Sequence, residues 1–374
     1  MSNFNPVSPP SRLLLGPGPS VVAPTVLEAM ARPTLGHLDP AFLEIMDQVR
    51  TMLRQVFRTE NEMTMPMSGT GSAGMETIFV NLVEAGDRVV VGVNGVFGLR
   101  MAEVARRCGA EVIEVQTDWG KTFSPDDFTA AADGKPVQLM AVVHAETSTG
   151  AHQDLSGFRA AADSCGALLC VDAVTSLGGV PLETDAWGLD AVYSGTQKCL
   201  SCPPGLSPIT LGPRAVERLE NRKTPVPSWY FDLSLIRKYW GEERAYHHTA
   251  PINMIYGLHE ALRLVLDEGL EARFKRHQTV GSQFQQAVEE LGFSLMVDES
   301  IRLPQLTSIR LPEQLNDAKG RAHLLQEHDI EIGGGLGPWK GQVWRVGLMG
   351  AGATPDSVER CLQGIRSALA ATSA

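Results

Sequence analysis

The chain has 374 residues, 43% hydrophobic and 20% charged, with 32 basic against 43 acidic side chains and a formal net charge of −11. That length suits two domains, or one large domain with an appendage, and an acidic balance without any basic run argues against a nucleic-acid footprint. The apolar stretches are too short to span a membrane, and six scattered cysteines fit a reducing compartment better than a disulfide framework.

The start, Met1-Ser2-Asn3-Phe4-Asn5-Pro6, has neither a basic head nor an apolar core, so no secretory signal is expected. The end, Ala371-Thr372-Ser373-Ala374, carries no peroxisomal tripeptide, and a cytoplasmic location follows as the expectation. Residues 1–19 are rich in Pro and Gly and read as an extended arm anchored by Leu13-Leu14-Leu15. From Pro40 to Phe57, Phe42, Ile45, Met46, Val49, Leu53 and Val56 recur with helical spacing. Ser68-Gly69-Thr70-Gly71-Ser72-Ala73-Gly74-Met75-Glu76 is a Gly-rich turn opening into a helix. The Thr70 and Ser72 hydroxyls and the first helical N–H groups can hold a phosphate there, or the turn is only a well-capped helix start. It is no Walker loop, because no Gly-Lys-Ser/Thr follows, and no dinucleotide fingerprint, because a clean preceding strand and a suitably placed acid are missing.

Short apolar runs then alternate with helical patterns. The runs are Arg88–Val93, Glu111–Val115, Leu139–His144, Ala167–Asp172, Ala191–Ser194 and Pro208–Leu211, and amphipathic stretches such as Phe97–Cys108 and Leu155–Cys165 lie between them. This alternation predicts an α/β fold with a mostly parallel sheet covered by helices on both faces. Ligands of such sheets sit beyond the carboxyl ends of the strands, where His144 and Asp172 stand. Residues 20–268 form the large domain in this reading. From 269 to 374 the pattern changes to a smaller α+β domain. Its predicted elements are a helix over Leu270–Leu291, a strand near Leu306–Leu311, a helix near Asn316–His328, a strand near Val343–Leu348 and a closing helix over Pro355–Leu369.

Lys198, in Tyr193-Ser194-Gly195-Thr196-Gln197-Lys198, and Asp172 each follow a strand-like run. A lysine can hold an aldehyde as a Schiff base, and an aspartate can keep a pyridine nitrogen protonated, so the pair points to an electrophilic aromatic cofactor. A turn lysine and a loop-capping aspartate are the plainer alternative. Phe97, just past Val93-Asn94-Gly95-Val96, either lies on a cofactor ring or packs at the foot of a helix. The hydroxyls of Glu146-Thr147-Ser148-Thr149-Gly150 either reach a ring substituent or cap the turn. Arg345 sits in the apolar run Val343-Trp344-Arg345-Val346 and needs an anionic partner, either a substrate carboxylate or a structural acid. Cys199 and Cys202 have redox or zinc spacing without a second pair, and the adjacent His247 and His248 do not share a helix face. No metal site is expected.

Together these segments resemble the class V aminotransferases of fold type I, which use pyridoxal 5'-phosphate, and within them the alanine–glyoxylate and serine–pyruvate group. The resemblance runs from Leu13-Leu14-Leu15-Gly16-Pro17-Gly18-Pro19-Ser20 to Arg345-Val346-Gly347-Leu348. Its most specific parts are Ser194-Gly195-Thr196-Gln197-Lys198, Val171-Asp172-Ala173-Val174 with Ser176-Leu177-Gly178-Gly179, Tyr246-His247-His248-Thr249, and Gly334-Gly335-Leu336-Gly337-Pro338. It implies that Lys198 holds the cofactor aldehyde and Asp172 pairs with its ring nitrogen. Thr70, Gly71, Ser72 and Gln197 would hold the phosphate. Phe97 would stack on the ring, where the best-known relatives carry tryptophan, and Thr147 would stand for a family serine beside the cofactor. Tyr246 and Thr249 would reach the phosphate of a partner subunit, which implies a homodimer with shared active sites. Arg345 would bind the substrate α-carboxylate.

The implied activity moves an amino group from a small amino acid, alanine or serine, to a 2-oxoacid, glyoxylate or pyruvate, by ping-pong kinetics. Other donors to glyoxylate, such as ureidoglycine or aspartate, stay open, as does a lyase or desulfurase reaction on the same cofactor. A desulfurase needs a cysteine on a mobile loop, which the positions of Cys199 and Cys202 do not resemble. A non-enzymatic relative would be expected to have lost Lys198 or Asp172. The sequence shows no second arginine placed for a distal carboxylate, and His37 is a candidate for lining the donor pocket.

Overall fold

The computed structural model describes residues 4–372. Its centre is a seven-stranded sheet. In chain order the strands are β1 (Met63–Ser68), β2 (Arg88–Val93), β3 (Glu111–Gln116), β4 (Leu139–Val143), β5 (Leu168–Asp172), β6 (Ala191–Tyr193) and β7 (Leu206–Leu211). Their spatial order is β1-β7-β6-β5-β4-β2-β3. Every neighbouring pair from β6 to β3 is parallel, and β7 runs against both β6 and β1. Strands covered on both faces need apolar side chains on both sides, which is why β2, β4 and β5 read as unbroken apolar runs.

Helix α1 (Pro40–Phe57) starts at Asp39, whose carboxylate accepts from Ala41 N at 2.9 Å, and buries Phe42, Met46, Val49, Leu53 and Val56 along one stripe. Helix α2 (Gly71–Leu82) leaves the end of β1, and helix α3 (Val96–Arg107) leaves the end of β2.

Two local expectations are corrected. The Gly-rich turn does follow a strand: Pro66 breaks the apolar run of β1 and hides it in the sequence. Pro66 is tolerated because β1 is an edge strand, paired on one side only, with Pro66 opposite Pro208. The helix expected over Leu155–Cys165 spans only Phe158–Ser164. Ser156 is held in a turn, its N and Oγ donating to the Asp154 carboxylate at 2.9 and 2.7 Å, and Gly157 follows at φ 82°.

Past β7, helix α4 (Ile252–Glu268) ends at Gly269, φ 80°, and α5 (Leu270–Glu290) begins at once. Then comes a four-stranded antiparallel sheet of β8 (Ser294–Leu295), β9 (Leu306–Arg310), β10 (Gly333–Gly334) and β11 (Val343–Gly347), ordered β8-β9-β11-β10. Helices α6 (Asp317–His328) and α7 (Pro355–Thr372) complete this unit. Its apolar core includes Phe284, Ile309, Trp344, Ile365 and also Leu15 from the amino-terminal segment. Leu13–Leu14 pairs in parallel with Ile330–Glu331, so the arm is stitched to this unit. Buried Arg273 of α5 ties the two units together. It donates to Glu268 at 2.6 Å, to the Gly178 carbonyl at 3.0 Å and to the carbonyl of Cys199, the residue after Lys198. No described helix is long and apolar enough to cross a membrane.

Candidate active site

Asp172 closes β5, Lys198 follows β6, Gly71 follows β1, Phe97 follows β2 and Thr147 follows β4. All of these strands end on the same side of the sheet, so chain direction alone gathers the residues there.

Asp172 is 2% exposed. One carboxylate oxygen accepts from Val174 N at 2.8 Å and the other from the Tyr193 hydroxyl at 2.7 Å. Burial pushes its pKa up to about 7, against the two hydrogen bonds. Sequence reasoning misses Tyr193. It is the register partner of Asp172 on the neighbouring strand, a relation that strand pairing alone creates.

Lys198 is 7% exposed, and its amine donates to the Pro17 carbonyl. Burial, then the charge of Arg345, pull its pKa down to about 8. The amino-terminal segment walls this lysine. Ser20 Oγ donates to the Lys198 carbonyl at 2.7 Å, and a Cβ at Gly18, where φ is 112°, would stand 2.6 Å from Lys198 Nζ. Glycine is therefore favoured at position 18 by its backbone angle, and a side chain there would push the Lys198 amine aside.

The Gly-rich turn has the features of an anion cradle. Thr70 is the N-cap of α2 but makes no side-chain cap bond, and the Thr70 and Ser72 side chains are exposed. Gly71 and Gly195 approach closely, since a Cβ on Gly195 would lie 3.3 Å from Gly71 Cα and 2.8 Å from Gln197 Oε1. That Gln197 oxygen is buried and has no hydrogen-bond partner. The uncapped helix start and the free hydroxyls are donors that a phosphate dianion would satisfy, and the Gln197 amide would join them only by turning its NH₂, not its oxygen, toward the anion.

Arg345 is 6% exposed. Its Nε donates to the Gly334 carbonyl at 2.8 Å and its Nη1 to the Thr147 carbonyl at 2.9 Å. Among the described residues no carboxylate lies within ion-pair distance of it. Burial pulls its pKa down to about 10, and only the more distant Glu146 charge opposes this. Of the two partners the sequence left open, the structural acid is missing. Thr147 Oγ1 lies 3.0 Å from Thr175 Oγ1. Phe97 is half-buried, with the Arg100 guanidinium 4.9 Å over its ring.

Tyr246 and Thr249 are not brought into this cluster. Tyr246 is 58% exposed, its hydroxyl 3.5 Å from Thr249 Oγ1 and its ring centroid 5.0 Å from that of His37. His37 is thus placed against Tyr246. His144 spends its Nε2 on His152 at 3.0 Å. His247 and His248 hydrogen-bond to each other at 2.7 Å and stack on Trp229 and Tyr230. No group of three or more potential metal ligands occurs among the described residues. A cavity of 1180 Å³ is lined by Asp190, Arg159, Arg214 and Glu217 among others and contains none of the cluster.

The class-V aminotransferase family profile matches residues 15–339. The chain is 40% identical to the alanine–glyoxylate aminotransferase of Rattus norvegicus, over 97% of this chain and 89% of that one. It superposes on the crystal structure of alanine–glyoxylate aminotransferase from Nostoc sp. with a TM-score of 0.97 at 48% identity, covering 98% of both chains. It superposes equally well, TM-score 0.97 at 38% identity, on ureidoglycine–glyoxylate aminotransferase from Bacillus subtilis, covering 99% of this chain and 96% of that one. The chain belongs to the class-V aminotransferases and is an enzyme of that family with the α/β fold its relatives share.

Proposed function

We propose that this aminotransferase uses pyridoxal 5'-phosphate to move an amino group from a small donor, alanine or serine, to glyoxylate or pyruvate, the two reactants taking turns in one site. The observation that carries this reading is a buried Lys198 and a buried Asp172 beside a buried Arg345 that lacks an acidic partner. The residues fit the cofactor: the uncapped Thr70–Ser72 turn suits its phosphate, with the Gln197 NH₂ as a further donor once the amide is turned, and Asp172 suits its ring nitrogen, Lys198 its aldehyde and Phe97 its ring face. When bound, the cofactor supplies an electron sink for negative charge at the donor Cα.

The chain does the rest. Arg345 grips the α-carboxylate that donor and acceptor both carry, which fixes the Cα–H bond relative to Lys198. With its pKa pulled to about 8, the Lys198 amine is poised to take the Cα proton near neutral pH. In the return half it delivers a proton to Cα of the former oxoacid. Asp172, held by Val174 N and Tyr193, keeps a fixed carboxylate toward a cationic ring nitrogen. A thiol-based desulfurase reaction is disfavoured. Cys199 and Cys202 are buried, and burial pushes their pKa values up to about 11 and 12.

The donor is tested by half-reactions with alanine, serine, aspartate and ureidoglycine, following release of the matching oxoacid. Alanine or serine should react fastest. Faster turnover of ureidoglycine, as the Bacillus subtilis relative's name suggests for that protein, would replace this donor assignment. Arg345→Lys keeps the charge but loses the planar grip, and should weaken alanine and glyoxylate alike by roughly ten- to a hundredfold. An alkylamine without a carboxylate should be nearly unaffected. Equal loss for all three would make Arg345 a purely structural residue.

A homodimer with shared sites is part of the proposal. The exposed aromatics Trp229, Tyr230 and Tyr246 support it, since such residues favour interfaces. Mixing Lys198→Ala chains with Tyr246→Phe, Thr249→Ala chains should yield hybrids with one complete site. Activity no higher than the average of the two parent dimers would contradict sharing.

A further inference from the structure

We propose that Glu146 is a positioning residue: through the first turn of α3 it holds Phe97 at the face where the cofactor ring is received, an inference that rests on the pyridoxal-phosphate reading above. Helix α3 has no cap of its own, because its N-cap is Gly95, which makes no side-chain bond. Its free N–H groups are met instead by two side chains from the exit of β4, about fifty residues on. Val96 N donates to Ser148 Oγ at 3.0 Å, and Phe97 N donates to Glu146 Oε2 at 3.2 Å. Gly98 N also donates to the Glu146 carboxylate. The other Glu146 oxygen, Oε1, accepts from Ser148 N at 3.0 Å and from Ser148 Oγ at 2.6 Å.

The cap is enclosed. Glu146 and Ser148 are both 0% exposed, so water cannot take their place. The approach leaves no room for a side chain at position 95, where a Cβ would stand 2.4 Å from Ser148 Oγ and 2.5 Å from Glu146 Cδ. Burial raises the carboxyl pKa and the converging donors oppose that shift, and the positive end of α3 favours the anion as well. A buried carboxylate that accepts only backbone and hydroxyl donors, with no ion pair, has one evident task, which is to fix the groups that donate to it. Phe97 is the second residue of the helix so fixed. Thr147, inside the same turn, gives its carbonyl to Arg345.

Glu146→Gln keeps the shape but puts an amide NH₂ against one set of N–H or O–H donors, leaving buried donors unpaired at the helix start. Phe97 then loses its fixed position. The test is a double-mutant cycle read by the dissociation constant of pyridoxal phosphate, from quenching of tryptophan fluorescence, and by the circular dichroism of the bound cofactor. Phe97→Leu alone should weaken binding about three- to tenfold, the worth of an aromatic stack. Glu146→Gln alone should weaken it at least as much and diminish the cofactor's dichroic band. In the Glu146→Gln background, Phe97→Leu should then cost less than about twofold more. Should Glu146→Gln fail to fold, Ser148→Ala removes the hydroxyl that bridges Val96 and Glu146 and carries the same cycle. Losses that multiply in the double variant, or an unchanged dichroic band, would overturn the positioning role while leaving the cofactor reading intact. Wild-type protein that takes up no pyridoxal phosphate would overturn both.

Discussion

Lys198→Ala should lower transamination by roughly four orders of magnitude or more, because it removes both the group that anchors the cofactor and the base at the donor Cα. The loss should appear in the single-turnover half-reaction with alanine, read as pyruvate released, and not only in steady-state turnover. The fold should persist. The Lys198 amine makes one hydrogen bond, to the Pro17 carbonyl, while its burial disfavours the charged form. Circular dichroism in the far ultraviolet should therefore match the wild type. Added methylamine should restore part of the rate, since a small amine can enter the space left by the side chain and act as the base. A variant that keeps within tenfold of the wild-type half-reaction would remove Lys198 from the mechanism.

Asp172→Asn should slow the same half-reaction by roughly a hundred- to a thousandfold, the cost of deleting one preorganised charge facing the reacting system. Cofactor affinity should fall much less, because the phosphate cradle is separate. A stability measurement gives an independent check with a fixed sign. The Asp172 pKa is raised from 3.8 to about 7 in the folded, cofactor-free protein. Between those values the folded state binds a proton that the unfolded state does not, so stability falls as pH rises from about 4 to about 7, and the full cost is present above 7. An asparagine at this position does not titrate and carries no such cost. The cofactor-free variant should therefore gain on the wild type as pH rises through that window, by a difference on the order of 4 kcal/mol before the altered hydrogen bonds to Val174 and Tyr193 are counted. Melting temperatures of both proteins at pH 5 and pH 8 would show it. A gap that does not widen with pH would mean that Asp172 is not the strained buried acid described above.

The parallel strands were legible because burial on both faces forces continuous apolar runs, and Arg88–Val93 and Leu168–Asp172 stand out for that reason. Met63–Ser68 did not, because its proline is permitted only by an edge position that the sequence does not display. Lys198 and Asp172 could be picked out because each is a charged residue close behind an apolar run, where parallel sheets keep their ligands. Arg345 drew notice as a charge within such a run. The groups that hold them were not legible. Tyr193 meets Asp172 only through strand register, and Pro17 meets Lys198 only when the amino-terminal segment folds back. Glu146 caps a helix that begins about fifty residues before it, a pairing that no local spacing encodes. Periodicity reports an element's environment, while these contacts are made between elements and depend on topology.

The most direct test of the central claim is where the cofactor is held. Purified protein loaded with pyridoxal phosphate is reduced with borohydride, which makes the lysine–cofactor bond permanent, then digested and mapped by mass spectrometry. A single pyridoxyl-modified peptide containing Gly195-Thr196-Gln197-Lys198 is expected, with the label on Lys198 and none in the Lys198→Ala protein. A stoichiometric label on any other lysine, or a label that survives Lys198→Ala, would contradict it.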